Sequence, residues 1–167
     1  FSRKGIVRSH QTLGELFIHL NHKQITDFRR ELDLNTAVST VSYRTAGQLV
    51  KEKIIVSQPH QAILMEISTE ARKGLHGKVR LSRPRDRGEP TVTVFTTADG
   101  LLVMQGMVTQ RGGKFNSEDH PILAGVKFET MLRMEHEGGE IARGKDYLEL
   151  KNVQKVTLYL VSNSSIC

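Results

Sequence analysis

Tryptophan is absent from this chain, and six phenylalanines and three tyrosines are its only other benzenoid side chains. Sugar-binding and single-strand nucleic-acid surfaces both lean on exposed aromatic platforms, so this scarcity argues against either as the main task. The only cysteine, Cys167, is the last residue, which rules out a disulfide within the chain and any cysteine-based zinc site. No apolar run approaches the roughly 20 residues a helix needs to cross a bilayer, and no membrane partner is expected. Also missing are G-x-S-x-G, the P-loop pattern and G-x-G-x-x-G, which takes away the main support for a nucleophile elbow or a phosphate cradle.

Charge of one sign is lacking too. Lys and Arg number 24 against 18 Asp and Glu, giving a net +6 and a pI near 9.6. That balance invites a nucleic-acid reading, but the positive charges are spread along the chain. The densest group, Arg80, Arg83, Arg85 and Arg87, is broken up by Pro84, Asp86 and Gly88, as at the tip of a solvated loop. No nucleic-acid partner is expected. At 167 residues the chain fits one domain, 1–167, with a real core. Its first residue is Phe and no signal peptide is recognisable, so the expectation is a piece of a longer protein.

What is abundant is alternation. In Thr26–Tyr43, Phe28, Arg30, Leu32 and Leu34 share one side of an extended strand, and Asp27, Arg29, Glu31 and Asp33 the other. After an Asn35-Thr36 corner, Ala37, Val38, Val41 and Tyr43 begin a second strand. The same period of two runs through Leu16, Ile18 and Leu20, through Val50–Val56, and through Ile63, Met65 and Ile67. It continues in Leu75–Leu81, Val92 and Val94, Leu102 and Met104, Val126–Met134, Leu148 and Leu150, and Val156–Leu160. Residues that tolerate positive φ fall between the runs at Thr45-Ala46-Gly47, Ala98-Asp99-Gly100 and Gly138-Gly139. The expected fold is all-β: about ten or eleven mostly antiparallel strands in a two-layer sandwich, each sheet burying one face. The polar stretch 110–124 is the longest interruption and the best candidate for a functional loop.

Few residues suggest chemistry. His19 and His22 form H-x-x-H, but residues three apart on a strand point to opposite sides and nothing nearby completes a ligand set, so no metal is expected. His10, His60, His76, His120 and His136 are scattered singly. Glu31 and Asp33 share a strand face with arginines beside them, which reads as an ion-pair ladder. Glu118 and Asp119 lie in the long loop, at a solvated tip. No catalytic residue and no cofactor is assigned, and the Asn163-Ser164-Ser165 sequon is given no weight.

Gln11-Thr12-Leu13-Gly14-Glu15-Leu16, then F-R-R-E-L-D-L-N-T-A at Phe28–Ala37, Tyr43, Gly47, Val50-Lys51-Glu52 and Pro59-His60-Gln61-Ala62-Ile63 follow one another in an order with its own signature. This set resembles the N-terminal β-sandwich domain of glycoside hydrolase family 95, which includes α-L-fucosidases and some α-L-galactosidases. Val126-Lys127-Phe128 and Val156–Val161 look like that domain's last strands. Thr12 stands where the family usually has Pro, and Phe28 where it has Tyr. The resemblance implies a non-catalytic domain of a larger, bacterial, inverting α-L-fucosidase-like enzyme that is extracellular or periplasmic. Its catalytic groups would lie in a downstream (α/α)6 barrel, the domain's partner, whose substrate cleft the sandwich helps to shape. Ser9, His10 and Gln11, in the best-matched motif, are the expected cleft-facing segment. The rival expectations are a free-standing carbohydrate-binding module and an adhesion or assembly domain that self-associates through an open sheet edge.

Overall fold

The computed structural model describes residues 12–85, 91–108, 110–111, 122–123 and 126–165, and within them every regular element is a strand. In chain order these are β1 (Glu15–Leu20), β2 (Ile25–Asp33), β3 (Val38–Thr45), β4 (Gln48–Ser57), β5 (Ala62–Thr69), β6 (Leu75–Ser82), β7 (Val92–Thr96), β8 (Leu102–Met107), β9 (Gln110–Arg111), β10 (Ile122–Leu123), β11 (Lys127–Glu137), β12 (Glu140–Arg143), β13 (Leu148–Val153) and β14 (Lys155–Ser164). A large antiparallel sheet runs β2-β3-β4-β5-β14-β11-β8-β7, and a four-stranded sheet β1-β6-β13-β12 lies over it. The two-layer sandwich read from the alternation is the observed fold. β9 and β10 pair with each other, so the two roots of the expected long loop meet in a short ribbon. Glu118 and Asp119 lie outside the described residues.

The turns follow from local chemistry. The carboxylate of Asp33 accepts the Asn35 amide at 2.9 Å and the Thr36 hydroxyl at 2.8 Å, closing the β2–β3 corner. Ala46 and Gly47, both at positive φ, make the two-residue β3–β4 hairpin. Asp33 is thus a turn residue and not a rung of the expected ion-pair ladder. Only Arg29–Glu31 pairs along β2, while Asp27 pairs with Arg44 across the strands. Asp27, at positive φ, and Phe28 oppose the single residue Tyr43 in a bulge that separates the Ile25–Thr26 end of β2 from the register beyond it.

The core lies between the sheets. Val50, Ile67, Leu102, Met104, Leu132, Val156 and Leu158 come from the large sheet, and Leu75, Val79, Leu148, Leu150 and Val153 from the small one. Each such side chain contributes about 1.5–3 kcal/mol by leaving water. At the crossing from β13 to β14, the Thr69 amide donates to the Gln154 carbonyl at 3.0 Å and the Gln154 amide to the Glu137 carbonyl at 2.9 Å. Gly74 and Gly139, both at positive φ, press against the backbone of Asn152 beside this crossing, where a Cβ on either would collide.

One expectation about side chains is corrected, and two aromatic rings lie outside the core: Phe17 is 51% and Phe28 60% exposed. Phe17 sits on the outward parity of β1, and Phe28 on the outermost strand of the large sheet, all of whose residues are exposed. The arginine group is also less free than a loop tip: Arg80 lies over the Tyr147 ring and Arg83 over the Phe128 ring. The Arg83 guanidinium also donates to the Thr12 carbonyl at 3.0 Å and the Thr91 hydroxyl at 2.7 Å. Arg87 lies outside the described residues.

Candidate functional site

One cavity of about 270 Å³ opens at the end of the sandwich where β1 crosses β3, β4 and β5. Ile18, Leu20, Ile25 and Ile67 supply its apolar wall, and His19, His22, Tyr43 and Glu52 its polar groups. Tyr43 and Glu52 are cross-strand neighbours one step apart on the inner face, since Tyr43 pairs with Val50 and Val41 with Glu52. His22 comes from the short link after β1, and its ring meets Tyr43 edge-on with centroids 5.6 Å apart.

A chain of three polar groups results. Nδ1 of His22 is 2.9 Å from the Tyr43 hydroxyl, and that hydroxyl lies 3.4 Å from Oε1 of Glu52. With its proton directed to Glu52, the phenol accepts from a protonated Nδ1 of His22. Burial pushes the Glu52 carboxyl above its ordinary value, and the hydrogen bond from Tyr43 only partly offsets this. Burial likewise lowers His22. Tyr43 is driven up by burial and by the neighbouring carboxylate, so its hydroxyl keeps its proton and is no nucleophile.

This arrangement presents hydrogen-bonding groups beside an apolar wall. Cleavage of a glycosidic bond by two carboxyls needs an acid and a base or nucleophile flanking the sugar, about 5–9.5 Å apart according to mechanism. Among the described residues Glu52 is the only carboxyl lining this cavity. A second recess, of about 410 Å³, lies at the ends of β8, β11 and β14, and its one carboxyl among the described residues is Glu129, paired with the Gln105 amide and flanked by Lys127. Among the described residues no three His, Cys, Asp or Glu side chains come together as a metal site.

His19 and His22 line one cavity after all, because His22 lies past the end of β1, where strand parity no longer applies. Sequence reasoning passed over Tyr43 and Glu52 as a pair, although both stand in the motif set quoted above. His60 and His136 are exposed and His76 is half-buried, each bonded to a partner two or three residues away. Ser9, His10 and Gln11 lie outside the described residues.

Comparison with known proteins adds a family. Residues 2–166 match the model described as glycosyl hydrolase family 65, N-terminal domain. The chain belongs to that family. No curated protein matches it. Among solved structures, a chain described as a kojibiose phosphorylase from human microbiome aligns with 89% of this chain at 13% identity and a TM-score of 0.47. This chain spans 22% of that one. The motif resemblance implies family 95, and the family that matches is 65, so the finding supports an N-terminal β-sandwich domain of a glycoside hydrolase and not membership of family 95. The described residues of the quoted motifs belong to strands and the turns and links between them, and such scaffold positions report a sandwich more surely than an activity.

Proposed function

We propose that this family 65 N-terminal domain is a non-catalytic accessory of a larger glycoside hydrolase, docking beside a helical-barrel catalytic domain and shaping one wall of its substrate cleft. The observation that carries the reading is the family match over 2–166, joined to two cavities that each hold a single carboxyl among the described residues where hydrolysis by this route needs two. Rigid strands holding loops at one end of a sandwich suit a wall of this kind. On the motif resemblance, the parent enzyme is an inverting α-L-fucosidase-like protein acting on fucosylated glycans outside the cytoplasm.

The 167-residue chain and the complete parent protein are to be assayed side by side on an aryl α-L-fucoside and on kojibiose with inorganic phosphate. The expected result is no turnover by the chain alone and fucose release by the parent. Turnover by the chain alone overturns the accessory role. Phosphorolysis of kojibiose by the parent, without fucose release, keeps that role and replaces the fucosidase assignment. Exposed Phe17 and Phe28 favour a second reading, a carbohydrate-binding module, because each offers a ring to stack on sugar. Calorimetric titration of the chain with L-fucose decides it: millimolar binding that Phe17→Ala or Phe28→Ala removes supports the module.

A further inference from the structure

The cavity lined by His22, Tyr43 and Glu52 holds a charge that the described residues do not balance. Glu52 is half-buried on the inner face of β4, and its side chain's only partner among the described residues is the Tyr43 hydroxyl. Lys51 and Lys53, its neighbours along β4, have the opposite parity and stand on the outer face, where Lys53 lies 3.9 Å from Glu66. Lys23, in the link after β1, is exposed and bonds through its carbonyl, which accepts the Thr45 hydroxyl at 2.8 Å. Burial therefore acts on the Glu52 carboxyl with no cation beside it among the described residues.

The hydrogen-bond chain fixes which atoms are left over. Tyr43 donates to Oε1 of Glu52 and accepts from Nδ1 of His22, so the neutral imidazole keeps a lone pair at Nε2. Oε2 of the ionised Glu52 is an acceptor as well, and among the described residues neither atom has a partner. Two acceptors in one small cavity, one of them charged, call for a donor that is itself a cation. The rest of the lining is aliphatic, from Ile67 at 1% exposure through half-buried Ile18 and Leu20 to Ile25 at 54%, a path along which an alkyl chain can leave water. Five heavy atoms at about 30 Å³ each, the share of a water molecule in the liquid, fit within about 270 Å³. Other occupants fit less well. A sugar finds no open ring face, because Tyr43 is buried and meets His22 edge-on. Glu52 repels an anion, and a metal ion lacks a third His, Cys, Asp or Glu ligand among the described residues.

We infer that this cavity is a binding site for a primary alkylammonium group, whose nitrogen donates to Oε2 of Glu52 and Nε2 of His22 while its alkyl chain lies along Ile18, Leu20, Ile25 and Ile67. Glu52 and His22 bind the ligand, and Tyr43 is a positioning residue whose hydroxyl holds His22 in the tautomer that leaves Nε2 free to accept. The same ammonium group occurs on a free amine and on a lysine side chain.

The test is titration of the 167-residue chain with n-butylammonium chloride at neutral pH, followed by NMR of the isoleucine methyls and the His22 imidazole nitrogens. Saturable shifts are expected at Ile18, Ile25, Ile67 and His22, with affinity rising about threefold to fourfold for each carbon added from ethylammonium to n-butylammonium. 1-Butanol keeps the chain and drops the charge, and is expected to bind about tenfold more weakly. Glu52→Gln should weaken n-butylammonium by about tenfold, while Glu66→Gln on the outer face leaves its binding unchanged. Tyr43→Phe should weaken it by about fivefold and shift the His22 nitrogen signals away from the Nδ1-protonated tautomer, a change that loss of packing alone does not produce. A lysine residue capped as its acetyl methylamide separates the two sources: binding as tight as that of n-butylammonium supports a lysine side chain, and weaker binding supports a free amine. Absence of saturable shifts with n-butylammonium overturns the inference. So does 1-butanol binding as tightly as the ammonium, a comparison made on the unaltered chain that holds even where Glu52→Gln does not fold. Undiminished binding by a folded Glu52→Gln variant overturns it too, as does L-fucose binding more tightly than the ammonium, which makes the cavity a sugar site.

Discussion

Val50 and Val56 stand on one strand, on one face, six residues apart, and the first is fully buried while the second is more than two-thirds exposed. Ile67 and Ile63 repeat the contrast on β5. Nothing in the residues themselves separates the members of each pair. What separates them is the four-stranded sheet, which lies over one end of β3, β4 and β5 and not over the other. An apolar side chain stabilises the fold only in proportion to the water it leaves, so identical chemistry in the two halves of this face does different work.

The sharpest way to break that comparison is to truncate both halves. Ile67→Ala is expected to cost about 2–5 kcal/mol through lost transfer energy and the cavity left behind. Ile63→Ala is expected to cost less than about 1 kcal/mol, as surface changes do. Urea unfolding of the two variants checks this, and equal losses would mean that the uncovered half is already covered in solution. A smaller effect is expected at the strand that ends the cover. A Cβ at Gly77 would run into the carbonyl oxygen of His19 on β1, so Gly77→Ala should cost about 1–3 kcal/mol by overpacking. Amide exchange along Glu15–Leu20 should rise with it, because β1 must shift away from β6.

The polar corner of the cavity sharpens the comparison further. Tyr43→Phe removes the hydroxyl that links His22 and Glu52 and is expected to destabilise by about 1 kcal/mol in chemical unfolding, the worth of an ordinary hydrogen bond. The smallest expected effect is on pH dependence. The Glu52 carboxyl is raised in the fold, so its contribution is fully present below its ordinary value of 4.5 and is lost as pH rises through the raised one. His22 is lowered, so its contribution is fully present above its ordinary 6.5 and is lost as pH falls through the lowered one. The two groups oppose each other across the weakly acidic range. Glu52→Gln should abolish the decline on the alkaline side of 4.5 and leave the His22 dependence, a difference that melting curves from pH 4 to 8 will show.

Much of the fold was legible because alternation reports directly which residues share a face. Leu75, Gly77, Val79 and Leu81 are all buried on β6, and on β11 Phe128 and Leu132 are buried while Lys127 and Arg133 are exposed. Turn residues were legible for the same local reason, as at Ala46-Gly47 and Gly138-Gly139. The candidate site was not. Tyr43 stands in one strand pattern and Glu52 in another, and only pairing β3 with β4 sets them one step apart. His22 was set aside because strand parity was applied beyond the end of β1. The bulge at Asp27–Phe28 was invisible too, since a period-two count runs straight through an inserted residue.

From its own residues the chain determined strands, turns and the inner and outer parity of each strand, because these depend on contacts between near neighbours and on backbone preferences. The tertiary structure decided which inward residues are buried and which polar ones meet in a cavity. Those outcomes depend on where one sheet ends over another, a distance between segments far apart in the chain that no local pattern encodes.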